Sequence, residues 1–387
     1  MALSFLDMVR NTLDKLPVDG EFATVLPYHN WYVADELWRQ NRRKKSGGVY
    51  VDVRIAYRVG ESTQFVEAAA IRNPSMTEYT VSGKLPLVTT YFEVVHVEKE
   101  IRDNVTATAS RGKRAEQIID ILKVRRQQEL LGFYKTQEEK FFLCPTESGA
   151  NKTPHGIPYH LPPITSAQVG GTGDVQGAYQ GVHGYGASYW QNIDISDTTY
   201  SDLESYNACW DAASATTITM TEENKIRLAR MFRRLHWSSP LSVEQLAQPM
   251  FSKLRVLTDE TIVEQIGIAA QAQNDNLGAD ILKYVGTKGP KARLGMTDSG
   301  PLVNGLPARW AEVLDTADTT ARGYHPLYML NMDYLQVACE ASNFMKKRPA
   351  ATDAVHQPDV IVEYVDSTFN YIVPDRQKVG GVISWVS

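Results

Sequence analysis

The sequence lacks most of what marks a catalyst, a metalloprotein or a membrane protein. Its three cysteines, Cys144, Cys209 and Cys339, are far apart and none belongs to a CxxC pair. A disulfide framework or a cysteine zinc site is therefore not expected, and a reducing cytoplasm is the simplest setting for folding. No run reaches the roughly 18 apolar residues that a membrane span needs. There is no GxxxxGK[ST] phosphate loop, no HExxH and no GxSxG elbow. Gly171-Thr-Gly173-Asp-Val-Gln-Gly177 misses the dinucleotide fingerprint by one residue and does not lie between an apolar strand and a helix. The eight histidines are scattered, His155 and His160 being the closest pair. No catalytic residue, cofactor or metal ligand is expected. The formal charge of −5 is too mild for a protein whose main task is gripping duplex DNA. The opening MALSFLDMVRNTLDKL has no basic leader, apolar block or small-residue cleavage site, so a secretory signal is not expected either.

What is present suits a packed chain with extended parts. At 387 residues and 43% hydrophobic, the chain buries a sizeable core and divides into two or three sub-domains. Residues 1–46 read as an arm with an amphipathic helix and the aromatics Trp31 and Trp38, which need a surface to lie against. The basic run Arg42-Arg43-Lys44-Lys45 reads first as a solvated linker and second as a contact with an acidic surface. From Gly47 the pattern becomes period-2: Val49, Val51, Val53, Ile55 and Tyr57 alternate with Tyr50, Asp52, Arg54, Ala56 and Arg58. The turn Val59-Gly60-Glu61 and the run Ser62–Ala70 then predict a long hairpin that one subunit does not easily bury. A return strand over 85–104 follows, both of its faces partly covered.

Residues 111–143 carry the strongest helical periodicity, with Ala115, Ile118, Ile119, Leu122, Leu130, Phe133 and Tyr134 as an apolar stripe. Roughly thirty residues would span about 45 Å, long enough to serve as a spine. Thr165–Ser188 is a glycine-rich loop region. A helix capped by Thr221 runs to Leu235, another starts near Thr258, and strands fill the C-terminal part from Pro326.

This order of segments resembles the major capsid proteins of tailed bacteriophages with the HK97-type fold. The residues that carry the resemblance are Gly47-Gly48-Val49, the helix Lys113–Leu143, Thr153-Pro-His-Gly156-Ile-Pro-Tyr-His, Tyr189-Trp190-Gln-Asn192, His325–Asn331 and Asn370–Gly380. The resemblance implies an α+β chain with an N-terminal arm (1–46), an extended β-hairpin loop with its return strand (47–104) and a spine helix in a peripheral domain (105–160). An axial domain (161–325) and C-terminal strands returning to the peripheral domain (326–387) complete it. The hairpin would lie across a neighbouring subunit. Contact candidates are Trp31, Trp38, Arg42, Arg43, Lys44 and Lys45 in the arm, with Arg54, Arg58, Glu61, Phe65, Glu67 and Lys84 in the hairpin.

The resemblance further implies a structural protein, not an enzyme, that assembles as pentamers and hexamers into an icosahedral shell around double-stranded DNA, in the virion, after assembly in the bacterial host cytoplasm. A portal protein and a decoration protein are partners it suggests, and no membrane is involved. A hairpin opening at Gly47 leaves no room for the fused scaffolding segment of some members, so a separate scaffolding protein is expected. Some relatives crosslink a hairpin lysine to an asparagine of another subunit; Lys84, the only lysine between Lys45 and Lys99, is the sole candidate. Two other readings stand beside this one. The first is an encapsulin-type compartment. The second is a glycoside hydrolase built on Tyr179, Tyr185, Tyr189, Trp190, Tyr200, Tyr206 and Trp210, with Asp194, Asp197, Asp202, Glu204 and Asp211 interleaved.

Overall fold

The computed structural model describes residues 37, 42–56, 80–97, 128–143, 152–163, 175–176, 189–191, 193–194, 203, 205–212, 218–235, 254–275, 294–297, 300–303, 305–316, 324–348, 351–353 and 357–385. The expected α+β class is observed, as two main sheets with a few helices. The first sheet is six-stranded and is organised by one long strand, β17 (Gln357–Ile372). Along one side β17 pairs antiparallel with β4 (Val88–Val97) through ten consecutive residue pairs. It also pairs with β14 (Gln336–Glu340), β15 (Lys346–Lys347) and β16 (Ala351–Asp353). β1 (Arg42–Lys45) joins parallel to β14, Arg42 opposite Val337 and Lys45 opposite Glu340. The basic run is therefore a sheet strand and not the linker first read from it. Lys44, exposed on this edge strand, is the kind of charge that discourages unwanted strand pairing.

One face of this sheet is covered by helix α1 (residues 128–141), whose Phe133 ring meets Phe92 at 5.3 Å. Phe141 and Phe142, at the end of α1, are fully buried. The opposite face of β4 is open: Tyr91 is 63% exposed and Val95 40%. The return strand is thus covered on one face, not on both, because α1 lies on the Phe92 and Val94 side alone. The earlier part of the predicted spine, with Ala115, Ile118, Ile119 and Leu122, lies outside the described residues.

The second sheet is eight-stranded. Its order is β10 (Leu294–Thr297), β11 (Gly300–Val303), β12 (Leu306–Trp310), β9 (Leu254–Thr258), β13 (Tyr324–Asn331), β18 (Gly380–Trp385), β8 (Tyr206–Cys209) and β5 (Val175–Gln176). The C-terminal strands divide between the sheets, β14 to β17 in the first and β13 and β18 in the second. Three short helices complete the order, α2 (Ile157–His160), α5 (Val313–Thr316) and α6 (Arg376–Val379).

Helix α3 (Glu222–Arg234) begins where the sequence predicts, Thr221 Oγ1 accepting from Asn224 N at 3.3 Å with Glu222 and Glu223 in the first turn. Its buried side, Asn224, Arg227, Leu228, Met231 and the following Leu235, has helical spacing. Helix α4 (Glu260–Asp275) starts two residues after Thr258, which ends β9; Asp259 caps it by accepting from Ile262 N at 3.2 Å. Apart from Val175–Gln176, the glycine-rich segment lies outside the described residues.

Candidate functional site at the hairpin root

β2 (Tyr50–Ala56) shows the expected alternation: Val51, Val53 and Ile55 are buried, Asp52 and Arg54 exposed. Its partner differs from the one expected. β2 pairs with β3 (Thr80–Pro86), Tyr50 opposite Pro86 and Ala56 opposite Thr80, and not with Ser62–Ala70. A turn at Val59-Gly60-Glu61 would have brought residues near 64 opposite Ala56, so the hairpin is longer than the local turn signal implies. The root is also less orphaned than expected. Val51, Val53, Ile55 and Leu85 belong to the core that contains Phe141, Tyr159 and Tyr371 of the same chain. At about 1.5–3 kcal/mol per fully buried aliphatic side chain, the four hold the root firmly.

A buried polar knot fixes how the root sits. β6 (Tyr189–Trp190) and β7 (Ile193–Asp194) form a minimal hairpin whose turn opens on Gln191 at φ +50°, a left-handed conformation costly for a non-glycine residue. Gln191 is held from every side. Its N–H donates to the Tyr159 hydroxyl at 2.8 Å, its Nε2 donates to Val373 O at 2.8 Å, and its carbonyl accepts from Lys84 N at 2.7 Å. Gly83 lets β3 approach that closely, since a Cβ there would stand 2.6 Å from Gln191 Oε1.

Asn370 makes the second tie. Its Oδ1 accepts from His155 N and Tyr371 N, each at 2.8 Å. Its Nδ2 donates to Pro86 O at 2.6 Å and to His155 Nδ1 at 2.8 Å. Trp190 Nε1 donates to His160 Nδ1 at 3.1 Å, while Arg376 Nε donates to His160 O at 2.6 Å and its guanidinium lies 5.8 Å from the Trp190 ring centre. Three segments far apart in sequence, 155–160, 190–191 and 370–376, thus converge on the base of one hairpin. Gln191 Oε1 and His160 Nε2 are buried there without a hydrogen-bond partner among the described residues, so the geometry is specified by the bonds the knot does make, not by complete satisfaction.

The same overall fold occurs in solved structures. Over 94% of this chain and 94% of its counterpart it matches the capsid asymmetric unit of Cyanophage A-1(L), at a TM-score of 0.50 and 13% identity. Over 96% and 98% it matches the capsid of a native GTA particle, at a TM-score of 0.51 and 12% identity. The fold is that of a phage capsid protein. No protein-family model matches the sequence, and no curated protein does.

Within the capsid fold the candidate contact residues divide. Arg54 and Lys84 lie on the exposed face of the hairpin root, Lys84 opposite Asp52. Arg42, Arg43, Lys44 and Lys45 form β1, with the Lys44 side chain exposed. Trp31, Trp38, Arg58, Glu61, Phe65 and Glu67 lie outside the described residues. Among the described residues the aromatic platform of the hydrolase reading does not assemble. Trp190 is fully buried in the core beneath the hairpin, whereas Tyr206 and Trp210 are buried in the separate core of the eight-stranded sheet. Tyr179, Tyr185, Tyr200, Asp197, Asp202 and Glu204 lie outside the described residues. Among the described residues no group of three or more His, Cys, Asp or Glu could hold a metal ion, and no helix is long and apolar enough to cross a membrane.

The knot also sets a pH dependence. Burial pushes the His155 imidazole down to about 4 and holds His160 well below its ordinary range. Both are neutral at pH 7. Between the unfolded value of 6.5 and the folded value of about 4, the unfolded chain binds protons that the folded chain does not. Stability is therefore full above pH 6.5 and falls as pH drops towards 4, by about 3 kcal/mol for His155 alone. Urea midpoints at pH 7.5 and 4.5 check this: the midpoint drops in acid, and drops less in His155→Asn. Equal acid sensitivity of the two proteins would contradict it.

Proposed function

We propose that this chain is the major capsid protein of a tailed bacteriophage, a structural subunit without catalytic activity that assembles into an icosahedral shell around double-stranded DNA. One observation carries the reading: nearly the whole chain overlays two capsid subunits. The anchored root supports it, because Gln191 and Asn370 hold the base of the hairpin in one position. In this reading the 47–104 segment is the extended loop that reaches a neighbouring copy. Helix α1 and the six-stranded sheet belong to the peripheral domain, and most of 161–325 builds the axial domain. The copies assemble as pentamers and hexamers, each contact modest and the sum cooperative. A scaffolding protein and a portal protein are the partners, non-covalent contacts or a decoration protein hold the shell, DNA is enclosed without sequence reading, and assembly takes place in the host cytoplasm. Arg54 and Lys84 at the root, and Lys44 on β1, are the described candidates for contact between copies.

Deleting Ser62–Pro74 tests the role of the hairpin. The shortened subunit is expected to stay soluble with near-normal helix content by circular dichroism, and to form no closed particles in electron micrographs. Normal particles from the deletion would refute the assignment.

A further inference from the structure

One end of the eight-stranded sheet exposes aromatic side chains that the fold holds rigid. Trp310 ends β12 and is 38% exposed; Tyr324 starts β13 and is 39% exposed. The registers place them at the same end, since Thr258 of β9 lies opposite Trp310 on one side and Leu327 on the other. Trp385 lies opposite Tyr324, ring centres 5.7 Å apart and edge to face. Trp310 Nε1 donates to Asp315 Oδ2 at 2.5 Å, and Asp315 Oδ1 accepts from Glu260 N at 2.9 Å. Between the aromatics, His325 sits at φ +49° with its imidazole against the Asp259 carboxylate and its carbonyl accepting from Trp210 Nε1 at 2.7 Å.

Among the described residues the exposed charges around this patch are acidic, while Arg309, next to Trp310 in β12, is half-buried. Glu260, Glu264, Glu312 and Asp315 are all exposed, and Glu260, Glu264 and Ile268 follow one another at four-residue steps along α4, Ile268 being 58% exposed. Rigid aromatics rimmed by charge have the composition of a protein interface. Such a rim repels nucleic acid and selects a cationic partner. The chain carries that partner itself. Lys346 and Lys347 are exposed on β15, in the other sheet, followed by Arg348, which is exposed but already paired with the Asp366 carboxylate, and Lys44 is exposed on β1 of the same sheet.

We propose that the Trp310–Tyr324 end of one copy docks on the Lys346–Arg348 edge of a second copy. The inference rests on the shell reading and adds to it one specific contact. The patches are unlike and lie in different sheets, so the contact is head to tail, the kind that propagates into rings and shells. Lysine ammonium groups over the exposed indole add to the Coulomb attraction.

A charge swap tests it. Lys346→Glu/Lys347→Glu and, separately, Glu260→Lys/Glu264→Lys are each expected to lower the assembled fraction about tenfold or more, read by sedimentation velocity at fixed concentration. The four substitutions in one chain are expected to restore assembly to within about threefold of the original. Thermal melts of the monomer check that each variant folds; should one not fold, Trp310→Ser reads the same contact. Either charge variant assembling like the original, or a combined variant no better than its parents, overturns the proposal. So does a loss traced by nuclease treatment to bound nucleic acid. An original chain that never assembles is a different result, and refutes the shell reading itself.

Discussion

Gly156→Ala is expected to destabilise the protein severely. A Cβ at this position would stand 2.2 Å from Leu143 O, 2.3 Å from Phe141 O and 2.7 Å from Lys140 O. All three are backbone oxygens at the end of α1, so no side chain can swing aside. The conformation of Gly156 is ordinary, φ −73°; the requirement is close approach alone. Either α1 or the 155–160 segment must move, and both sit on fully buried aromatics, Phe141, Phe142 and Tyr159. Overpacking against fixed backbone costs about 3 kcal/mol or more, a large part of the roughly 5–15 kcal/mol that holds a domain. Gly132 is the internal control. It lies within α1 with nothing within 4 Å of its would-be Cβ, so Gly132→Ala should stabilise by about 0.5–1 kcal/mol. Urea melts of the two variants should therefore move in opposite directions. A Gly156→Ala protein with an unchanged midpoint would show that the helix end and the 155–160 segment do not meet as described.

Asn370→Leu is the second large effect. The leucine fills a similar volume but strips partners from His155 N–H, Tyr371 N–H and Pro86 C=O. Each buried polar group left without its bond costs about 1–3 kcal/mol, so a loss of roughly 3–9 kcal/mol is expected. Where the loss falls matters more than its size. Pro86 ends β3, so hydrogen exchange should speed up in β2 and β3 more than in β9 and β13 of the other sheet. An even increase across both sheets would make Asn370 a general core residue instead of a clamp on the hairpin.

The sequence showed the elements whose cause is local. The Val51, Val53, Ile55 alternation, the Thr221 cap and the long C-terminal strand all follow from neighbouring residues. The partner of β2 was not legible in the same way. Val59-Gly60-Glu61 offered a nearby turn, but lengthening a loop costs little entropy, and the distant 80–86 segment brings Leu85 to the core and Gly83 to Gln191. Nor could Arg42–Lys45 be read as a strand, since four cationic residues lack any apolar alternation, yet they pair parallel to β14. The knot was half visible. Gly156, His160, Trp190, Asn370 and Arg376 all lie in segments that carried the family resemblance, yet nothing in their order shows that they meet. Buried polar residues set among aromatics and prolines were the available signal.

Whether copies of this chain build a shell is decided by negative-stain electron microscopy of the purified 387-residue protein across a concentration series. The expected images show closed particles of uniform diameter, or the five-fold and six-fold assemblies that build them. A protein that stays monomeric at every concentration, above all one that hydrolyses sugars, would contradict the shell-forming role.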